Sequence, residues 1–143
     1  MGDLKTRIQR SIEIFNDGNV GLIDELYAPT FVNHTTSPDT LPTREGFKAW
    51  TKALRAAFPD IRYTNDDVIE CGDRYVTRLT ATGTMRGDFA GMPATGKHAI
   101  WTEIHIMRVT NEHVVEQWSL IQELGMLVQL GVIQAPGRTP VAV

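Results

Sequence analysis

Apolar residues recur at helical spacing through the first part of the chain and alternate with polar ones through the second, so a helical segment is followed by a strand-rich one. Leu4, Ile8, Ile12 and Phe15 share one helix face, and Asn16-Asp17-Gly18 then supplies residues suited to a left-handed helix end. A second, shorter helix is predicted from Asn19 as cap, with Val20, Ile23 and Leu26 inward and Pro29 as its stop. Residues 30–42 read as loop. Thr43 caps a third helix whose buried stripe is Phe47, Trp50, Leu54, Ala57 and Phe58, closed by Pro59-Asp60.

Beyond that point the period changes. Ile61 to Cys71 and Arg74 to Arg86 read as strands joined at Gly72-Asp73, a hairpin signal. Ala99 to Val109 and Val114 to Ile121 form a second pair, joined through Thr110-Asn-Glu-His113, and a short helix runs from about Gln122 to Leu130. Helices first and an antiparallel meander second predict an α+β domain with the helices packed on one face of a curved sheet. The domain is expected over residues 1–135, with 136–143 as a mobile or partner-swapped tail.

Composition narrows the partners. A chain of 143 residues, 42% of them hydrophobic, is sized for one core. A net charge of −3 offers no footprint for nucleic acid or an anionic membrane, so the expected partner is a small, weakly charged molecule. The lone Cys71 has no intramolecular disulfide partner and the first residues lack an apolar run, which together predict a cytoplasmic location. Thr80, Thr82, Ile100 and Ile104 are candidates for an apolar outer sheet face, and a homodimer through that face is expected.

The candidate chemistry lies in one strand. Alternation puts Trp101, Glu103 and His105 on a single face, so a carboxylate and an imidazole share a wall that should be hydrophobic. Burying them without partners costs several kcal/mol, roughly, so they must pair, meet water or meet a ligand. His105 is either a core histidine satisfied by Glu103 or a group facing a ligand. Glu103 either anchors the sheet through Arg78 or Arg108, or sits desolvated in a cavity as a general base. Phe89, Met92, Trp101 and Trp118 suit the wall of a pocket for a flat ligand, with core packing as the alternative. His34 lies in a segment leaving the second helix, and His98 and His113 fall at turns where no role is expected. Glu103, His105 and His34 form no recognisable metal motif, so no metal is expected.

The order of motifs resembles a known family. Phe31-Val-Asn-His34, Ala56-Ala-Phe-Pro-Asp60, Gly87-x-Phe-x-Gly-x-Pro-x-Thr-Gly96, Trp101-Thr-Glu-Ile-His-Ile-Met-Arg108, Glu116-Gln-Trp118 and Leu124-Gly-x-Leu-x-Gln-Leu-Gly131 come in the same sequence as in the SnoaL-like polyketide cyclases, or ester cyclases. The resemblance implies the nuclear-transport-factor-2-like cone, a bent sheet around a helix with an open-ended apolar cavity. It also implies a cofactor-independent enzyme that removes a proton next to a carbonyl and closes a ring by an aldol step on an aromatic or polyketide-derived substrate. His105 then matches the active-site histidine, and Asn33-His34 the cavity rim. Such cyclases carry an acid/base aspartate after the tryptophan, at the position of Gln122, often with another acid at that of Ser119. Neither residue here exchanges protons usefully. Either Glu103 takes over that role, or the cone serves another end: hydrophobic-ligand binding, hydroxylation or epoxide hydrolysis.

Overall fold

The computed structural model describes residues 3–137. The tail expected over 136–143 therefore lies, from residue 138 onward, outside the described residues. Helix α1 (Leu4–Asn16) starts where the Asp3 carboxylate accepts from the Lys5 backbone N–H, and past its end Gly18 turns the chain at φ +70°. Ile8, Ile14 and Phe15 are buried on its inner side.

Helix α2 (Leu22–Leu26) is shorter than the pattern predicts, because residues 19–21 form a turn and Tyr27 is already extended. Tyr27 opens a strand, β1 (Tyr27–Asn33), where the end of a helix and a loop were expected. Burial drives it: Tyr27, Ala28 and Phe31 are inside, and the rings of Tyr27 and Phe31 meet edge to face at 4.9 Å. Pro29 falls where pairing is interrupted, between Tyr27 and Val32, on an edge strand that needs no donor there.

Helix α3 (Arg44–Ala57) is capped by the Thr43 hydroxyl, which accepts from the Gly46 N–H. Strands β2 (Arg62–Cys71), β3 (Arg74–Thr84), β4 (His98–Thr110) and β5 (His113–Ile121) then form the meander, followed by α4 (Glu123–Gln129). These boundaries lie within two residues of the predicted ones. The five-stranded sheet runs β1-β5-β4-β3-β2, curved and unclosed. It is mixed rather than wholly antiparallel as expected, since β1 pairs with β5 in parallel.

Helices and sheet enclose an aromatic core in which Phe15 lies 4.6 Å from Tyr63 and Tyr27 lies 5.2 Å from Phe47. Beyond β1 the chain crosses α3 as a strap, with the Asn33 N–H donating to the Pro42 carbonyl at 2.9 Å. A Cβ on Gly46 would stand 1.8 Å from the Leu41 carbonyl oxygen, so only glycine lets the strap lie on the helix. The strap forms one lip of a hollow between α3, α4 and the sheet. Among the described residues no helix is long and apolar enough to cross a membrane.

Candidate functional site

Strand β4 alternates as a two-faced strand must. Trp101, Glu103, His105 and Met107 are buried on the concave side, and Ile100, Ile104 and Ile106 are exposed on the other. Glu103 is only 2% exposed, so its carboxylate requires partners, and it has three. Its Oε1 accepts from the Tyr63 hydroxyl at 2.8 Å and from the Trp101 indole N–H at 2.9 Å, while Oε2 lies 2.7 Å from Nε2 of His105. The indole can only donate. Burial first, and then the charge of Glu103 beside it, pushes the Tyr63 phenol well above its ordinary value, so it remains a donor too. With two donors on Oε1, it is Oε2 that ties the carboxylate to the imidazole. Arg78 and Arg108 take no part: Arg78 approaches Asp66 at 3.7 Å, and Arg108 donates to Glu116 at 2.9 Å.

The other ring nitrogen of His105, Nδ1, lies 3.0 Å from the Gln117 side-chain nitrogen. Gln117 is 4% exposed on β5, paired in register with Met107, and its place in the wall was not expected. A bulge explains why. Val109 pairs with Val114 and Arg108 with Glu116, so Val115 is an extra residue and the inward face passes from Val114 to Gln117 and Ser119.

The same shift turns Trp118 outward. Its ring stacks on His34 at 4.7 Å and 12°, under the Arg74 guanidinium at 5.3 Å, and His34 Nε2 stands 4.0 Å from Glu116. Trp118 and His34, both expected to bind substrate, therefore meet each other away from the cavity.

The hollow has a volume of about 500 Å³, within the range of small-molecule sites. Phe15, Phe47, Trp50, Phe89 and Trp101 make its apolar wall, Glu103, His105 and Gln117 its inner polar spot, and Asn33, Thr35 and Ser119 a second polar group. Asn33 Oδ1 accepts from the Thr35 backbone N–H and hydroxyl, and the Thr35 and Ser119 hydroxyls are 2.9 Å apart. Met92 closes a turn with Phe89 and packs on the core without lining this cavity. Gln122 does not line it either, because its backbone N–H and its side-chain oxygen bond the backbone of Thr102 at 2.9 and 3.3 Å. The next residue, Glu123, does. Behind His105 and Gln117 lies a separate space of about 30 Å³ that both of them line. His98 and His113 bond Thr84 and the Asn111 carbonyl, away from the cavity. Among the described residues no group of three or more His, Cys, Asp or Glu is placed to hold a metal ion.

A family model described as SnoaL-like polyketide cyclase matches residues 5–130. Aklanonic acid methyl ester cyclase DauD of Streptomyces sp. (strain C5) is 26% identical over 136 residues, spanning 93% of this chain and 83% of the relative. The structure of wild-type IdmH from Streptomyces antibioticus is 32% identical with a TM-score of 0.76, over 89% of this chain and 97% of that one. TsrD from Streptomyces laurentii shares the fold at a TM-score of 0.84 and 24% identity, over 91% of this chain and 96% of its own.

Proposed function

Since the chain belongs to the SnoaL-like polyketide cyclase family, we propose that its cavity binds an enolisable polyketide-type carbonyl compound and closes a ring in it by an intramolecular aldol step. One observation carries this reading: Glu103 and His105 are bonded to each other at 2.7 Å, yet both line a cavity of about 500 Å³ that also has Phe15, Phe47, Trp50, Phe89 and Trp101 in its wall. A buried pair serving the core alone would not face so large a hollow.

The roles differ from those the sequence suggested. Glu103, already accepting three donors, acts as counter-charge and anchor for the imidazole, and His105 is the base. Nε2 keeps its proton toward Glu103, so the lone pair for the substrate is on Nδ1. The Nδ1 atom takes the proton from the carbon next to a carbonyl, and the electron pair of that C–H bond stays on the substrate as an enolate. The enolate carbon attacks a second carbonyl, a carbon–carbon bond forms, and the resulting alkoxide recovers the proton from Nδ1. The product is an isomer of the substrate, so the sequence of steps calls for neither oxidant nor cofactor. Aromatic surfaces around the pair hold a flexible chain folded and keep water from the enolate, which supplies part of the rate through proximity.

DauD, by its name a cyclase of aklanonic acid methyl ester, supplies the first compound to try. Incubation with it should give a His105-dependent product of unchanged mass and altered chromatographic retention. Tight binding with no conversion would leave a binding protein instead. We also propose a homodimer through the outer sheet face, where Leu120, 78% exposed, pairs in register with exposed Ile104, and Ile106 with Trp118.

A further inference from the structure

The Gln117 amide is bonded at one end only. Its nitrogen meets His105 Nδ1 at 3.0 Å, while Oε1 is buried with no hydrogen-bond partner among the described residues. Two bonding patterns fit these positions, because the oxygen and nitrogen of an amide exchange places on a half-turn of the group. With the imidazole neutral, Nε2–H donates to Glu103 and Nδ1 accepts from the Gln117 N–H. With the imidazole doubly protonated, Nε2–H still donates to Glu103 and Nδ1–H donates to Gln117 Oε1.

We infer that Gln117 is a positioning residue whose amide makes this half-turn when Nδ1 takes up a proton, so that both ring nitrogens are bonded before and after the transfer. The inference rests on His105 as the base of the proposed reaction. It adds what that reaction needs from its surroundings: the amide yields Nδ1 to the incoming C–H bond, then accepts from the new N–H. Without such a partner, the protonated ring would hold a charged donor against an apolar wall, which is costly. A space of about 30 Å³ behind the ring is lined by both side chains.

The titratable groups around the ring come from every side. Glu103 shares its strand, Tyr63 on β2 stands behind that carboxylate, and Tyr75 on β3 and Tyr27 on β1 line the space behind it. Arg7 of α1 acts on both of those phenols, and Glu123 of α4 lines the larger cavity. Of these, Glu103 alone hydrogen-bonds the ring among the described residues.

The test is the ring-nitrogen NMR spectrum of the full chain, ¹⁵N-labelled and without substrate. At neutral pH wild-type His105 should show one pyridine-type nitrogen, Nδ1, and one pyrrole-type, Nε2. In acid both should become pyrrole-type, with the Gln117 carboxamide resonances moving in the same step. Gln117→Glu offers only acceptors and should hold both nitrogens protonated already at neutral pH. Gln117→Leu should keep KM for aklanonic acid methyl ester while kcat falls about tenfold or more, as for one lost hydrogen bond to the transition state. A wild-type ring protonated on Nδ1 at neutral pH, or a Gln117 amide indifferent to the acid step, overturns the inference. These spectra need neither variant nor substrate, so their outcome is separate from whether the cyclisation itself occurs.

Discussion

Glu103→Gln keeps the shape of the side chain and removes its charge, and the hydrogen bonds around it dictate the outcome. The indole N–H of Trp101 and the Tyr63 hydroxyl, at 2.9 and 2.8 Å, hold the new amide oxygen at the Oε1 position. The new NH₂ must then face Nε2 of His105 across 2.7 Å, where two donors would collide unless the imidazole moves its proton to Nδ1. Nδ1 then has no lone pair for the substrate. Three charge-assisted bonds become neutral ones, a loss of about 1 kcal/mol each. Against that, a buried anion is removed, whose desolvation costs several kcal/mol, roughly. The two nearly cancel, so stability in denaturant should change by no more than about 2 kcal/mol, whereas loss of the base should lower kcat by about 10²- to 10⁴-fold. Urea unfolding and turnover of the ester measure the two sides. Activity within about threefold of wild type refutes this chain of reasoning. So does a ring spectrum that still shows a pyridine-type Nδ1.

Other consequences are as direct. The three tyrosines of the chain, Tyr27, Tyr63 and Tyr75, are held above the ordinary value of 10.0, chiefly by burial, with Tyr75 pushed up to about 12. Their contribution to stability is whole below pH 10 and is lost above it as the unfolded state ionises, at about 1.4 kcal/mol per pH unit for each. Tyrosinate absorbance should therefore stay flat past pH 10 and then rise in one step with the loss of far-UV dichroism; a gradual titration in the folded state contradicts this. Gly46→Ala should cost about 1–3 kcal/mol in denaturant unfolding by pushing the strap off α3, and an unchanged midpoint would show the close approach to be absent. Leu120→Glu with Ile104→Glu should convert a sedimenting dimer to a folded monomer, and an unaltered sedimentation coefficient excludes the sheet face as the interface.

How far the sequence disclosed this site depends on the range of the interactions involved. The shared face of Trp101, Glu103 and His105 was legible, because strand alternation is local and β4 keeps it without a bulge opposite β3. Helix ends were legible where a cap marked them, as at Thr43. Strand β1 was not, since Pro29 resembles a helix stop until an edge position makes it tolerable in a sheet. The extra residue at Val115 hid both the inward turn of Gln117 and the outward turn of Trp118, as counting by twos from buried Val114 points to the wrong face. The alternation of polar Gln117 and Ser119 across Trp118 was the available signal. Tyr63 reaches Glu103 from another strand, a contact that only the pairing of β2 with β3, and of β3 with β4, creates.

The proposed reaction begins with His105 removing a proton next to a carbonyl of a compound held in the cavity. Deuterium uptake tests it most directly: aklanonic acid methyl ester is incubated in D₂O with wild type, and with His105→Ala, and isotope content at the carbons flanking its carbonyls is read by mass spectrometry and NMR. Deuterium is expected at such a carbon, in recovered ester or cyclised isomer, with wild type and not with the variant. An ester that binds wild type yet acquires no deuterium and forms no isomer, or one that exchanges equally well without the imidazole, contradicts it.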